Sequence, residues 1–365
     1  MSEIVEGKAR IRVPPGVFFN PEMRLCRDYS VLAINAALKG RKGVRTVDAT
    51  AATGVRAIRY AKECGNIIGS VFLVDINSSA AKAAAANVKL NKLKKAKVVK
   101  ASFAKFCESG DAMEGFGLIE LDPFGSPVPL LYDAARASRG GTLLSVTATD
   151  MAVLCGAHSA ACIKNYQAKP LNNEYCHEAA VRILLGKIAR TVSEFNFGVK
   201  PVASLSYLHY VKVFVLLEEG AEKAVESLKT LGFAAHCNKC LNREWRKGIA
   251  NSLPAKCPEC GASYEYGGPL WLGEIHDGKV LAGMLKGAKE EKLAKILRLQ
   301  LGEAGMPPFY YDLHALCKKA GCRAAKPETV IEKLRKAGFK AVPVHFRFNS
   351  VKTDAPARKV GLAVR

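Results

Sequence analysis

Asp48-Ala49-Thr50-Ala51-Ala52-Thr53-Gly54-Val55-Arg56 is the stretch on which the fold turns. It closes a short β-branched run, Val44–Thr50, and opens a stretch of helical spacing, Gly54–Lys62, so it reads as the turn from a buried strand into a helix. Outward from it the alternation repeats. Ser70–Asp75 reads as a second strand, Ser79–Leu90 as an alanine-rich helix, and Lys97–Lys100 as a short third strand. Gly117–Asp122 and Gly141–Thr147 follow as a fourth and a fifth. Parallel neighbours need a crossover, usually a helix, so this order over residues 44–150 predicts an α/β domain with a largely parallel sheet. Such sheets bind ligands beyond the carboxyl ends of their strands, and each run here ends in a polar or turn residue.

The opening turn limits which ligand that is. Small residues let the backbone approach a bound molecule, and a helix N-terminus offers unpaired N–H groups. A pyrophosphate cradle would carry G-x-G-x-x-G; Gly54 is the single glycine of the stretch, which disfavours a nicotinamide dehydrogenase. Asp48 followed by small residues suits a cofactor with a cationic amino-acid moiety, and S-adenosylmethionine is one. Asp75 ends the second strand, where a carboxylate can accept hydrogen bonds from both ribose hydroxyls. A strand-end Asp alone is more often a turn residue; after a small-residue loop and before a third strand it reads as a ligand. Arg27 and Arg56 are candidates to grip the cofactor carboxylate in bidentate fashion.

The chemistry is expected at Leu121-Asp122-Pro123-Phe124-Gly125-Ser126-Pro127. An exocyclic amino group is a poor nucleophile because its lone pair is delocalised into the ring. An acceptor for its N–H turns that lone pair toward a methyl donor, and Asp122 supplies one, helped by the carbonyl of Pro123. Proline stiffens the backbone there, and Phe124 can stack on the base for roughly 1–3 kcal/mol. The motif resembles the Asp/Asn-Pro-Pro-aromatic signature of amino-directed methyltransferases.

The resemblance extends along the chain. FFNPEMRLCRDYSV (Phe18–Val31), DATAATGVRAIRYA (Asp48–Ala61), LDPFGSP, TATDMAVLCGAH (Thr147–His158), CHEAAVRILLG (Cys176–Gly186), PLWLG (Pro269–Gly273) and HF…VKTDAP (His345–Pro356) occur in one order. Together they resemble the tRNA (guanine-26) N2-dimethyltransferase family in its compact archaeal form. That resemblance implies a class I (Rossmann-like) methyltransferase domain using S-adenosylmethionine to place one or two methyl groups on N2 of guanine 26. It also implies cofactor contacts at Arg27, Arg56 and Asp75, a third-strand contact near Ser102-Phe103, and catalysis at Asp122 beside Phe124. This chain has Ser102 where the family usually has Asp, Cys26 where Asn is common, and Leu208 and Lys212 in place of an acid and an arginine. Any RNA contact by Lys212 would lack bidentate geometry. Two rivals remain: methylation of another nucleic-acid base, and a non-catalytic RNA-binding protein on this fold.

Charge agrees with a nucleic-acid partner. The net charge is +22, Leu281–Arg365 holds 18 Lys/Arg against 7 Asp/Glu, and Ile76–Cys107 has eight lysines and no acid. tRNA is the expected partner, with no membrane and no obligate protein partner. The first residues carry Glu3 and Glu6 and no apolar core of a secretion signal, so a soluble cytoplasmic protein is expected. Of twelve cysteines, eight are scattered through apolar segments and read as reduced thiols. Cys237-x2-Cys240 and Cys257-x2-Cys260, sixteen residues apart, have the spacing of a four-thiolate structural zinc site. The chain is therefore divided near residue 235. Residues 1–235 form the methyltransferase domain with an N-terminal extension. Residues 236–365 form a basic α+β domain that positions tRNA and includes a zinc knuckle at 237–261.

Overall fold

The computed structural model describes residues 3–249 and 252–365. Residues 1, 2, 250 and 251, which open the N-terminal stretch and fall inside the expected knuckle, lie outside the described residues. Strands β1 (Glu3–Glu6) and β2 (Ala9–Arg12) form an antiparallel hairpin ahead of a helix at Arg24–Ala37. Then come β3 (Val44–Asp48), β4 (Ile68–Asp75), β5 (Ala96–Lys100), β6 (Phe116–Leu121) and β7 (Ser138–Ala148), matching the five predicted strands to within a few residues. Crossover helices Val55–Glu63, Ser78–Leu90 and Val128–Arg136 join them. Asn77 caps the second of these, its side chain accepting from the backbone N–H groups of Ser79 and Ala80.

After the long helix Cys176–Ser193, β8 (Phe197–Tyr207) and β9 (Tyr210–Glu219) complete one seven-stranded sheet. Its order is β5-β4-β3-β6-β7-β9-β8, parallel from β5 to β7, with β9 antiparallel to its neighbours. Strand order reverses between β3 and β6, which creates a crevice at their carboxyl ends. The predicted strand at Val211–Leu217 is β9, but β8 had no clear signal. It is an edge strand interrupted by Pro201, where the register shifts, and edges tolerate the missing N–H.

Alternate residues enter opposite apolar layers. Val47, Phe72, Val74 and Ile119 face one cluster; Val71, Leu73 and Leu118 face the other. Helix Cys176–Ser193 covers the first, while helices Arg24–Ala37 and Val55–Glu63 cover the second. The second layer also takes Leu281, Met284, Leu293 and Leu297 from helices Gly278–Gly287 and Glu291–Glu303. Packing thus crosses the boundary expected at residue 235, because those two helices bury their apolar faces on the seven-stranded sheet.

Between β9 and those two helices along the chain comes a three-stranded unit of β10 (Leu231–His236), β11 (Arg243–Lys247) and β12 (Glu265–Trp271), in order β11-β10-β12. The last unit has β13 (Tyr311–Asp312), β14 (Ala341–Pro343) and β15 (Ser350–Thr353), with helices Leu313–Ala320, Pro327–Lys336 and Ala357–Ala363. These close a core of their own around Leu316, Val330, Leu334, Val351 and Val360. Among the described residues no helix is long and apolar enough to cross a membrane.

Candidate active site

The crevice at the strand-order reversal holds a cavity of about 660 Å³. Asp48 at the end of β3, Asp75 at the end of β4 and Asp122 just past β6 all line it, joined by Arg27, Arg56, Pro123 and Phe124. The turn after β3 is drawn over both neighbouring strands: Ala49 N–H donates to the Glu120 carbonyl and Ala51 N–H to the Val74 carbonyl, each at 3.0 Å. Ala52 and Gly54 take positive φ of 48° and 78°. A Cβ on Gly54 would come within 2.7 Å of the Leu73 side chain, so only glycine brings the helix this close to β4.

The carboxylates differ in setting. Asp48 is buried, with Oδ1 accepting from Thr50 N–H at 3.3 Å. Burial first, and the Glu120 carboxylate second, push its pKa up to about 7. Asp75 sits at the rim; its oxygens accept from Ala52 N–H and Asn77 N–H, both at 2.8 Å, which aims the carboxylate while leaving lone pairs for a ligand. Asp122 receives Arg56 Nε at 2.6 Å. Burial works to raise its pKa, but the Arg56 guanidinium, the Lys212 ammonium and the Thr147 hydroxyl outweigh it, so Asp122 stays an anion.

Arg56 is spread over further partners: Ser30 Oγ and Cys26 Sγ, each at 3.4 Å, and Glu120 at 3.8 Å. Arg27 is clamped by Glu6 through two bonds of 2.6 Å and lies over the Phe19 ring. Both arginines reach the cavity already paired, which the residues alone did not foretell. Behind them Glu120 is fully buried and accepts from Tyr60 at 2.8 Å, Ser145 at 2.6 Å and Lys212. Lys212 also reaches Thr147 Oγ1 at 2.9 Å. Its side chain is wholly buried on β9, so the RNA contact considered for it is corrected: Lys212 neutralises Glu120 under the site.

Ser102 and Phe103 are not brought to the cavity walls. Ser102 Oγ caps the short helix that follows, accepting from Lys105 N–H at 3.2 Å, and Phe103 is buried in the first apolar layer. Two wall elements escaped sequence reasoning. Phe18, half exposed, meets exposed Phe124 edge to face at 4.3 Å between centroids, making an aromatic pair at the cavity mouth. The adjacent aromatics at Phe18-Phe19 were the available signal. The tip of the β8–β9 hairpin supplies Leu208, His209 and Tyr210. Leu208 is exposed at φ 47°, an unusual conformation for a branched apolar residue.

Away from the cavity, the four knuckle cysteines converge. Cys237 and Cys260 sulfurs are 3.5 Å apart, as are those of Cys240 and Cys257, and all four lie within 4.8 Å of one another. Tetrahedral thiolates around zinc sit about 3.8 Å apart, so the donor set and spacing fit such an ion. The two turns are alike: Leu241 N–H donates to the Cys237 carbonyl, and Gly261 N–H to that of Cys257. Leu241 and Gly261 share a positive φ, 62° and 71°.

Similarity to known proteins extends over the whole chain. A family model of N2,N2-dimethylguanosine tRNA methyltransferases matches residues 2–365. The tRNA (guanine(26)-N(2))-dimethyltransferase of Methanobrevibacter smithii is 37% identical over 98% of this chain and 95% of its own. That of Thermococcus kodakarensis is 37% identical over 97% and 96%. A solved complex of Trm1 from Pyrococcus horikoshii with S-adenosyl-L-methionine, 33% identical, superposes with a TM-score of 0.88 over 100% of this chain and 99% of that one.

Proposed function

Because this chain belongs to the N2,N2-dimethylguanosine tRNA methyltransferase family, we propose that its cavity methylates guanine 26 of tRNA with Asp122 as the acceptor for the amino proton. The protein is an S-adenosylmethionine-dependent tRNA (guanine-N2-)-methyltransferase of class I fold. S-adenosylmethionine, when bound, supplies an electrophilic methyl group. The cavity suits it: a buried carboxylate at Asp48 can face a cation, and a rim carboxylate at Asp75 can take ribose hydroxyls. Arg27 and Arg56 line the same cavity and are the cations there for the cofactor's carboxylate, although each is already paired with Glu6 or Asp122.

One observation carries the catalytic role. Asp122 is held at a strand end by Arg56, on the wall of the same cavity as Asp48 and Asp75, with an aromatic pair at the mouth. A guanine leaving its stack enters against Phe124 and Phe18, an unstacking cost of a few kcal/mol offset by aromatic contact. Its amino N–H then donates to Asp122 and to the Pro123 carbonyl, which directs the nitrogen lone pair into the cavity. An anionic carboxylate serves here even though it is a weak base. Once the nitrogen has bonded carbon it is strongly acidic, and its proton passes to Asp122 or to water. A second turnover requires only that the monomethylated amine rotate its remaining N–H to the same acceptor.

Zinc bound by Cys237, Cys240, Cys257 and Cys260 would organise the loops between β10, β11 and β12, a stretch with few large apolar side chains. Four thiolates leave no open position, so the ion is structural. tRNA is engaged largely through phosphate and shape, with exposed lysines on the C-terminal unit and beside β5 as contacts. Incubating an unmodified tRNA transcript with the enzyme and methyl donor, then mapping the product by nucleoside mass spectrometry, tests the reading. Methylation at another base or at another position would refute it.

A further inference from the structure

We propose that His276, Glu303 and His345 form a second metal centre, for a divalent first-row ion such as zinc, buried where the C-terminal unit meets the rest of the molecule. His276 follows β12, Glu303 ends the helix that packs on the methyltransferase sheet, and His345 follows β14. Each offers a ligand atom, and the three lie within 4.8 Å of one another. His276 is 4% exposed, and the side chains of Glu303 and His345 are fully buried. Both ring nitrogens of His276, Nε2 of His345 and Oε2 of Glu303 have no hydrogen-bond partner. A buried polar atom left unpaired costs on the order of 1–3 kcal/mol, so orphaned atoms on neighbouring side chains point to a shared partner, which can take one nitrogen of each ring.

The chemistry of those atoms says which partner. Glu303 Oε1 accepts the backbone N–H of His345 at 2.7 Å and lies 2.7 Å from Nδ1 of that ring, so an ion can take the place of the proton between carboxylate and Nδ1. Glu303 Oε2 can only accept, and neutral His276 contributes a further lone pair. A set dominated by acceptors is completed by a cation better than by water, which brings just two donors. Lys352 Nζ comes within 3.4 Å of Glu303 Oε2, but its hydrogen bond goes to Glu178 Oε1 at 3.0 Å, a carboxylate that compensates its charge. Two imidazoles and a carboxylate are a donor set for zinc and its neighbours, unlike the all-sulfur knuckle. At metal bonds of about 2.0–2.2 Å, ligand atoms lie roughly 3.3 Å apart, within reach of small side-chain rotations. Such an ion would pin three separate segments to one point.

The test is the metal content of the full-length protein after dialysis against zinc, read by inductively coupled plasma mass spectrometry. Two equivalents per chain are expected, falling to one in His345→Ala and, independently, to one in Cys257→Ser. One equivalent or none in the wild type overturns the proposal, as does a His345→Ala protein that keeps both. If His345→Ala does not fold, X-ray absorption at the zinc edge of the wild type decides. A mixed shell of sulfur near about 2.3 Å and nitrogen or oxygen near about 2.0 Å supports the second centre, and sulfur alone refutes it.

Discussion

Asp48 and Asp122 share a cavity yet sit on opposite sides of their ordinary titration, and the reason is their neighbours. Asp48 is buried beside Glu120 and is pushed up to about 7; Asp122 is held down by Arg56 and Lys212. Binding a cationic cofactor favours the ionised form of Asp48. Affinity for S-adenosylmethionine should therefore rise roughly tenfold from pH 6 to pH 8 and level off above, with proton release visible by calorimetry in two buffers. A flat profile would remove Asp48 from the cofactor's cationic end. Asp122→Ala should cut turnover at least about a hundredfold, scored by nucleoside mass spectrometry, while calorimetry finds cofactor affinity nearly intact. Lys212 acts one layer deeper. Removing its charge in Lys212→Met withdraws an influence that keeps Asp122 ionised, so the acid limb of kcat should move to higher pH and turnover fall severalfold on the acid side of the profile. Lys212→Arg, which keeps the charge, should restore both; an unmoved limb in Lys212→Met would leave the lysine a purely structural role.

Elements set where these residues can stand. The five parallel strands and their helices were readable because buried strands and amphipathic helices impress different periods on a sequence. Their ends carried the site, since the carboxyl edge of such a sheet is where side chains face an open crevice. Gly54 shows how strict one turn is: Gly54→Ala combines a left-handed φ with a Cβ against Leu73 and should destabilise the fold by about 1–3 kcal/mol, measured by denaturant unfolding, and weaken cofactor binding in parallel. Less was legible where an element's role depends on what it lies against. Ser102 and Phe103 follow a strand in the expected place, where Ser102 caps a short helix and Phe103 enters the first apolar layer, positions that depend on how that helix packs. The hairpin that brings Leu208, His209 and Tyr210 to the cavity could not be seen without knowing that β9 inserts antiparallel beside β7.

Across the whole molecule, charge and packing answer different questions. The net charge of +22 favours a polyanionic partner wherever the lysines stand, and those of Lys82–Lys105, with Lys318, Lys319, Lys333 and Lys336, are exposed. Replacing Lys318, Lys319, Lys333 and Lys336 by Gln should weaken tRNA binding and flatten the dependence of log affinity on log salt by roughly one for each phosphate left unneutralised. An unchanged slope would place the RNA surface elsewhere. Deleting residues 281–365 is a poorer experiment, because it strips Leu281, Met284, Leu293 and Leu297 from the layer that covers the catalytic sheet. Sequence alone settled the alternation of strand and helix, the acidic residues at strand ends, the paired cysteines and the basic excess, all of which are local patterns or sums. Only the tertiary structure decided that Arg56 meets Asp122, that Lys212 lies buried against Glu120, that Phe18 faces Phe124, and that His276, Glu303 and His345 converge. Those pairings join residues tens to hundreds of positions apart. A charged side chain reads the same in a sequence whether it ends in water or in a core, and only three-dimensional packing decides which carboxylate it must neutralise.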